Sequence, residues 1–433
     1  MSSRFTGLWR HADFRRLWAA ETISIFGSLV TRTALPFAAI LTLDATAFQI
    51  SLLGIAELVP AFLVGLVAGV WVDRLPRRPI MIAADLGRAL LLAWVPLAAL
   101  LDILRIEHPY AVAFLTGVLT VFFDVAYQSY LPTLVDREEL VEGNSKLTVT
   151  ASVAEVTAFG TGGWLVQLLT APLAILIDAI TFIASALFVW RIQAPEPPPA
   201  PSEERRNVLV EAAEGLRLVI RDPILRALAG ANLALAFSFR VFGVVFLLYL
   251  TRDLGIAPGI QGLIFAVGGV TSLLGAVAAA RVARWGGLGR TLVVGLVVTG
   301  IGQLCAPLAW DASALAIAFL VAQQFLVDPA ATIFEIHGVS LRQAIAPDRL
   351  MGRVTASIRF LEFGAMLLGA LAGGLLGESI GLRPTLVVGA SGAFIGALWL
   401  LLSPIRHLRE APSLIPPEDI APIDPVFGVP GAG

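Results

Sequence analysis

The sequence predicts an all-α membrane protein of twelve transmembrane helices in two six-helix pseudo-repeat halves, and three observations carry that prediction. Of 433 residues, 57% are hydrophobic and 14% charged, with a mean hydropathy of +0.84; soluble domains run near a quarter charged. The apolar residues gather into twelve stretches, each long enough to cross the roughly 30 Å of a bilayer's hydrocarbon. Short patterns in the first six stretches recur at the matching stretches of the second six.

The first span is expected at 14–43. It follows a basic stretch as a signal peptide would, but it is too long for an h-region, carries Glu21 and Arg32, and lacks a small-residue cleavage site, so a retained helix is expected. The second, 48–71, runs into a charged, turn-prone loop with Gly69, Asp73, Arg74, Pro76, Arg77 and Arg78, and the third follows at 79–101. The fourth, 109–132, holds Phe122, Phe123, Asp124 and Tyr127. The fifth, 147–169, has a cluster at Gly160, Gly162 and Gly163 that permits close helix approach. The sixth is expected at 172–191.

Residues 193–207 are polar and proline-rich and predict an extended linker. Leu209, Ala213, Leu216 and Ile220 then recur at helical spacing among charges and predict an interfacial amphipathic helix. The remaining spans are expected at 227–251, 259–282, 290–309, 312–335, 354–377, rich in glycine from Gly369 to Gly377, and 383–403. The domains are therefore 1–192 (first half), 193–222 (linker and amphipathic helix), 223–403 (second half) and 404–433, a proline-containing tail read as disordered.

Basic residues orient the chain, because Lys and Arg in short loops resist translocation. With both termini in the cytoplasm, Arg4, Arg10, Arg15 and Arg16, the cluster at Arg74, Arg77 and Arg78, six arginines from Arg191 to Arg226, and every later inside loop fall on one side. Only Arg105, Arg252 and Arg383 fall on the other. A net charge of −2 with the basic residues spent on topology offers no nucleic-acid surface. A single cysteine, Cys305, excludes an intrachain disulfide and a thiolate metal cluster.

Four pairs recur at nearly constant offset: Thr150-Ala151-Ser152 with Thr355-Ala356-Ser357, Asp124 with Asp328, Gly69 with Gly275, and Arg32 with Arg240. Each pair sits in the matching span of its half, as in the parallel repeats of transporters whose site lies at midplane between the halves.

The loop residues Gly69, Asp73, Arg74, Arg77 and Arg78 resemble the loop signature of the major facilitator superfamily, with Pro76 where Gly is usual. The second copy, from Gly275 to Arg284, lacks the acid. Leu131 to Leu140 and Leu350 to Val354 are similar to the branch containing macrolide-efflux and enterobactin-export proteins, which are drug:proton antiporters. The resemblance covers essentially the whole chain and implies the major facilitator fold, alternating access and proton-coupled export of drug-like or siderophore-like compounds across a bacterial inner membrane. It also implies that Asp73 latches the cytoplasmic side onto the start of the eleventh span, with Arg74 or Arg78 reaching Asp124. One departure is that Phe159 to Trp164 lacks the proline found in antiporters.

Ionisable side chains within the bilayer are costly and so become functional candidates. Arg32 and Glu57 fall at nearly equal depths, about 15 and about 14 Å below the outer ends of their spans. Either they form a proton-coupling site, since a carboxylate sharing a cavity with an arginine can exchange a proton as its surroundings change, or they form a static pair. Arg240 either faces the substrate cavity or pairs across the halves. Glu155 facing Arg359 is a structural alternative to an Arg359–Glu362 pair at i, i+3; Glu21 and Asp178 complete the set. Phe37, Phe246 and Tyr127 are expected to line a cavity suited to amphipathic substrates, packing being the alternative.

No Walker sequence, H-E-x-x-H pair or His cluster is present, so no ATP-driven step, metal or other cofactor is expected, and the chain does not read as an enzyme. The expected partners are a small-molecule substrate, protons and membrane lipid, with no nucleic acid, and a monomer is the default. Lysophospholipid or lipid flipping is the alternative activity, followed by metabolite uptake.

Overall fold

The computed structural model describes residues 7–72, 74–136, 139–196 and 208–410. The first half comprises α1 (Ala12–Phe37), α2 (Ala47–Val72), α3 (Arg77–Leu100), α4 (Glu107–Leu134), α5 (Leu140–Leu169) and α6 (Ala171–Trp190). The amphipathic α7 (Val208–Arg221) precedes the second half: α8 (Pro223–Leu248), α9 (Pro258–Gly286), α10 (Leu288–Cys305), α11 (Ala314–Ile345), α12 (Met351–Ser379) and α13 (Leu382–Leu401). Among the described residues, eleven helices are long and apolar enough to cross a membrane. The twelfth long helix is α5, whose first turns carry Glu142, Asn144, Ser145 and Lys146.

Packing repeats as the sequence does. α1 packs on α5 and α6, α3 on α4 and α6, and α2 on α4; α8 packs on α12 and α13, α10 on α11 and α13, and α9 on α11. α1 and α8 both end in a π-helical turn, Ala38–Thr42 and Tyr249–Asp253. The same long backbone bond closes each, Ala45 N–H to Ala39 O and Ile256 N–H to Leu250 O, both 2.9 Å. The tight turns at α5–α6 and α12–α13 both place a residue at positive φ, Thr170 at 83° and Gly381 at 90°. Local geometry has thus been duplicated along with packing.

The linker expectation needs one adjustment. Residues 193–196 are anchored: Gln193 N–H donates to Asp13 Oδ1 at 3.2 Å, and Glu196 accepts from the amides of Arg77 (2.6 Å) and Arg78 (2.8 Å) at the start of α3. Pro76 offers no side-chain cap there, so Glu196 satisfies two of the helix's free donors instead. α7 packs on α12 and α8, with Val219 buried and Glu214 paired to Arg353. Residues 197–207 and 411–433, including most of the predicted linker and tail, lie outside the described residues.

The halves meet along α2–α12 and α5–α9, with a smaller α2–α8 contact. We call the face bearing the first and last described residues the terminal face and the other the distal face. The seams are tight toward the distal face. A Cβ on Gly163 of α5 would overlap the carbonyl of Pro258, and one on Gly377 would meet Ala47 at 2.7 Å. Arg252 pairs with Asp44 at 2.6 Å, Gln167 accepts from Gly259 N–H at 2.9 Å, and Glu378 accepts from Phe48 N–H at 3.3 Å. Farther along, Val156 still touches the Gly269 position and Phe62 meets Phe360 and Phe363. Beyond that, Val149 and Val153 of α5 and Leu273 and Val277 of α9, which would continue the seam, are exposed. Among the described residues, the halves are closed together at the distal face and part along α5 and α9 toward the terminal face, which we call the terminal-open state.

Candidate functional site: intramembrane charges at the seam between halves

Three ionisable side chains converge where α1, α2 and α8 approach. Glu57 on α2 lies within electrostatic range of both Arg32 on α1 and Arg240 on α8, and the two arginines sense each other. Glu57 and Arg240 are half-buried and Arg32 is exposed. Among the described residues no ion pair joins them directly, so the predicted Arg32–Glu57 contact is an electrostatic neighbourhood that also includes Arg240. Arg240 reaches the opposite half: a Cβ on Gly54 would stand 3.8 Å from its Nη1, while its own Cβ packs 3.1 Å from the Gly369 position on α12. Its Nε is buried without a partner. Pro60, one turn beyond Glu57, leaves the Ala56 carbonyl without its helical donor and loosens α2 at this level.

A second polar group lies inside the first half, and sequence reading found only part of it. Arg88 on α3 is 2% exposed and donates to Asp85 Oδ1 at 2.5 Å and to Thr120 Oγ1 at 3.4 Å. Its guanidinium stands 4.4 Å from the Phe123 ring and 4.1 Å from the Phe182 ring, so two aromatic faces replace much of its hydration. Asp178 on α6, 1% exposed, accepts from Thr181 Oγ1 at 2.9 Å. Toward α1, Glu21, Asp124 and Tyr127 share one electrostatic environment, and Glu21 Oε2 and Tyr127 OH are buried without partners. Four carboxyl groups thus surround one guanidinium. Asp85 and Arg88 were not singled out in the sequence, although an acid and a base at i, i+3 within the apolar stretch 79–101 is a readable signal.

The predicted gate residues disperse. Arg78 does not reach Asp124; its guanidinium donates to the carbonyls of Val189 (3.2 Å) and Trp190 at the end of α6. Asp124 lies about 15 Å farther into the membrane, ten residues before the end of α4. There it turns toward Arg88 and Glu21. Arg74 is exposed, and Arg77 contributes its backbone amide to Glu196. Asp73 and the surroundings of Gly69 lie outside the described residues.

The aromatic expectation also changes. Phe37 is fully buried and Phe246 is 7% exposed, within one apolar core where the Phe246 ring lies tilted against Phe242 with centroids 4.9 Å apart. They plug the distal side and do not line an open wall. Tyr127 is half-buried, parallel to Phe123 at 6.3 Å. Glu155 and Arg359 are both exposed, and no ion pair joins them among the described residues; Glu362 instead accepts from Asn232 at 2.9 Å. Among the described residues no group of His, Cys, Asp or Glu is arranged to hold a metal.

The family profile described as transmembrane secretion effector matches residues 2–422. The multidrug efflux pump Tap of Mycolicibacterium fortuitum is 28% identical over 415 residues, covering 91% of this chain and 96% of that protein. Among solved structures, a bacterial homologue of the iron transporter ferroportin, in its inward-facing state, superposes with a TM-score of 0.74 at 17% identity, covering 92% of this chain and 99% of that one. The nucleoside transporter NupG superposes with a TM-score of 0.70 at 15% identity, covering 90% and 98%. These two likenesses concern the fold.

Proposed function

Because the chain belongs to the transmembrane secretion effector family of major facilitator transporters, we propose that it is a proton-coupled exporter of amphipathic small molecules. The terminal face is the cytoplasmic one, as the arginine distribution requires, and the membrane is the bacterial plasma membrane, consistent with the source of its relatives.

The observation that carries this reading is that Glu57 lies within electrostatic range of arginines from both halves. Glu57 and Arg32 belong to the first half and move together, whereas Arg240 belongs to the second. When the distal seam opens, Arg240 withdraws and Glu57 keeps one guanidinium instead of two. A carboxylate that loses a neighbouring cation binds a proton more readily, and the opened seam supplies it from outside. On return to the terminal-open state the guanidinium of Arg240 takes the proton's place, and the proton leaves to the cytoplasm. Substrate moving outward on the same cycle is antiport. The Glu21–Asp124–Tyr127 edge supplies unpaired oxygens for a cationic or hydroxyl group of the substrate.

Gly69, Asp73, Arg74, Arg77, Arg78 and Asp124 belong in this reading to the cytoplasmic side of the cycle. The latch at Asp73 engages only when the terminal face closes.

The test is proton movement in inverted vesicles energised to an acidic interior, challenged with dyes, macrolides and catecholate siderophores. Wild type is expected to release protons on substrate addition and Glu57→Gln to release none. Intact release in Glu57→Gln would remove Glu57 from the coupling path. No release with any compound would favour lipid flipping, to be read with labelled phospholipids.

A further inference from the structure

The terminal face of the second half contains a basic cup that the transport cycle does not use. Its frame repeats the first half, where the segment after α6 covers the start of α3, but there Glu196 occupies the helix start and here arginines do. The cup encloses about 800 Å³ between the α9–α10 turn, α11 and the segment after α13. Arg284, Arg290, Arg406 and Arg409 line it, with Glu410 as the one acid in its wall. Topology requires arginines on this side of the membrane; it does not require four of them, drawn from two distant parts of the chain, around one cavity.

The cup is preformed. Leu288 N–H donates to Arg409 O at 3.0 Å and Gly289 N–H to Leu408 O at 2.9 Å, so the chain end is pinned onto the start of α10. A Cβ on Gly289 would overlap the carbonyl of Ile405, which is fully buried. The pinning sets Arg406 and Arg409 opposite Arg284 and Arg290. Among the described residues, the side chains of Arg284, Arg290 and Arg409 have no hydrogen-bond or ion-pair partner.

An apolar groove of about 320 Å³ continues from the cup, sharing Gly286 and Arg290 with it and running between α9, α10 and α11 toward the membrane centre. Val294 and Phe325 in the groove are 56% and 54% exposed, on the surface that faces lipid. Trp285 stands 82% exposed at the rim, where an indole suits the headgroup boundary. A multiply basic cup opening directly into a hydrocarbon-facing groove matches one molecule in chemistry and in shape.

We propose that this site binds an anionic phospholipid of the terminal-face leaflet, with its phosphate among Arg284, Arg290 and Arg409 and one acyl chain along Val294 and Phe325. Basic pockets between helices at this depth suit such headgroups, and the groove adds an apolar contact that a soluble anion cannot use.

The experiment is native mass spectrometry of the purified full-length protein in neutral detergent, titrated with phosphatidylglycerol or phosphatidylcholine, with thermal unfolding in parallel. Wild type is expected to retain phosphatidylglycerol preferentially and to gain thermal stability from it. At about 1 kcal/mol per arginine, Arg290→Gln with Arg409→Gln weakens that binding about 30-fold, and Arg409→Gln alone, beyond the last helix, about fivefold. Val294→Trp, which fills the groove, is expected to weaken phosphatidylglycerol binding with the cup intact. An unchanged preference in the arginine variants overturns the site. Stabilisation by inorganic phosphate equal to that by phosphatidylglycerol, or no effect of Val294→Trp, overturns the lipid as its occupant.

Discussion

Replacing Gly163 by Ala tests whether the distal seam sets the conformational balance. The added Cβ would overlap the Pro258 carbonyl and stand 3.0 Å from Gly262 Cα, both of them backbone atoms that cannot turn aside. α5 and α9 then have to part by roughly 1 Å at this point, a strain of the size that overpacking a core produces, about 1–3 kcal/mol. The strain exists only while the distal side is closed. Alanine's better helix propensity, about 1 kcal/mol over Gly, applies in both states and cancels. The terminal-open population should therefore fall about 5- to 150-fold relative to the terminal-closed one. With Cys305→Ser as background, spin labels at Val149→Cys and Val277→Cys, positions 61% and 80% exposed, report the gap at the terminal end of the same seam. The dominant distance should shorten in Gly163→Ala. It should not change in Gly243→Ala, where an added Cβ meets nothing within 4 Å. A distance distribution unaltered by Gly163→Ala in a protein that remains folded would refute the reasoning.

Other substitutions probe the fixed parts of the molecule. Arg88→Met strands Asp85, which is 0% exposed, and should lower stability by about 3–5 kcal/mol; adding Asp85→Asn should recover part of the lost thermal stability, and no recovery would place the role of Arg88 elsewhere. Glu196→Ala frees the amides of Arg77 and Arg78, a loss of about 0.5–2 kcal/mol that should appear as faster amide exchange confined to the first turn of α3. Asp44→Ala removes an ion pair whose acid is 94% exposed; at under about 1 kcal/mol it should move the same spin-label distances far less than Gly163→Ala, and an equal shift would mean that the pair, not packing, closes the distal side.

Much of this was legible in the sequence because hydrocarbon is an unforgiving solvent. Backbone amides with no water to bond must pair within a helix, so each apolar stretch of about 20 residues could be read as a helix without knowing its neighbours. A helix where α7 lies was likewise expected from the spacing of Leu209, Ala213, Leu216 and Ile220, although Val219 is the residue buried there and Ile220 is exposed. The family followed from a handful of loop residues, and the duplication from pairs such as Arg32 with Arg240. The duplication reappears in the packing of the six long helices of each half.

The partners of the polar side chains were not legible, because a helix places a side chain at a depth and leaves open which neighbour it meets. Arg32 and Glu57 were placed level by counting 1.5 Å per residue, but the third member, Arg240, comes from the other half through the approach of α8 to α2. Glu196 looked like part of a featureless proline-rich break and caps α3; Arg78 looked like a partner for Asp124 and holds the end of α6; Phe37 and Phe246 looked like cavity walls and plug the distal side. The helical spans, their duplication and the family were legible in the sequence alone, since each depends on local hydropathy or motif. Which charges meet, and which face stands open, were decided only by tertiary structure, since both depend on how two rigid halves lean against each other.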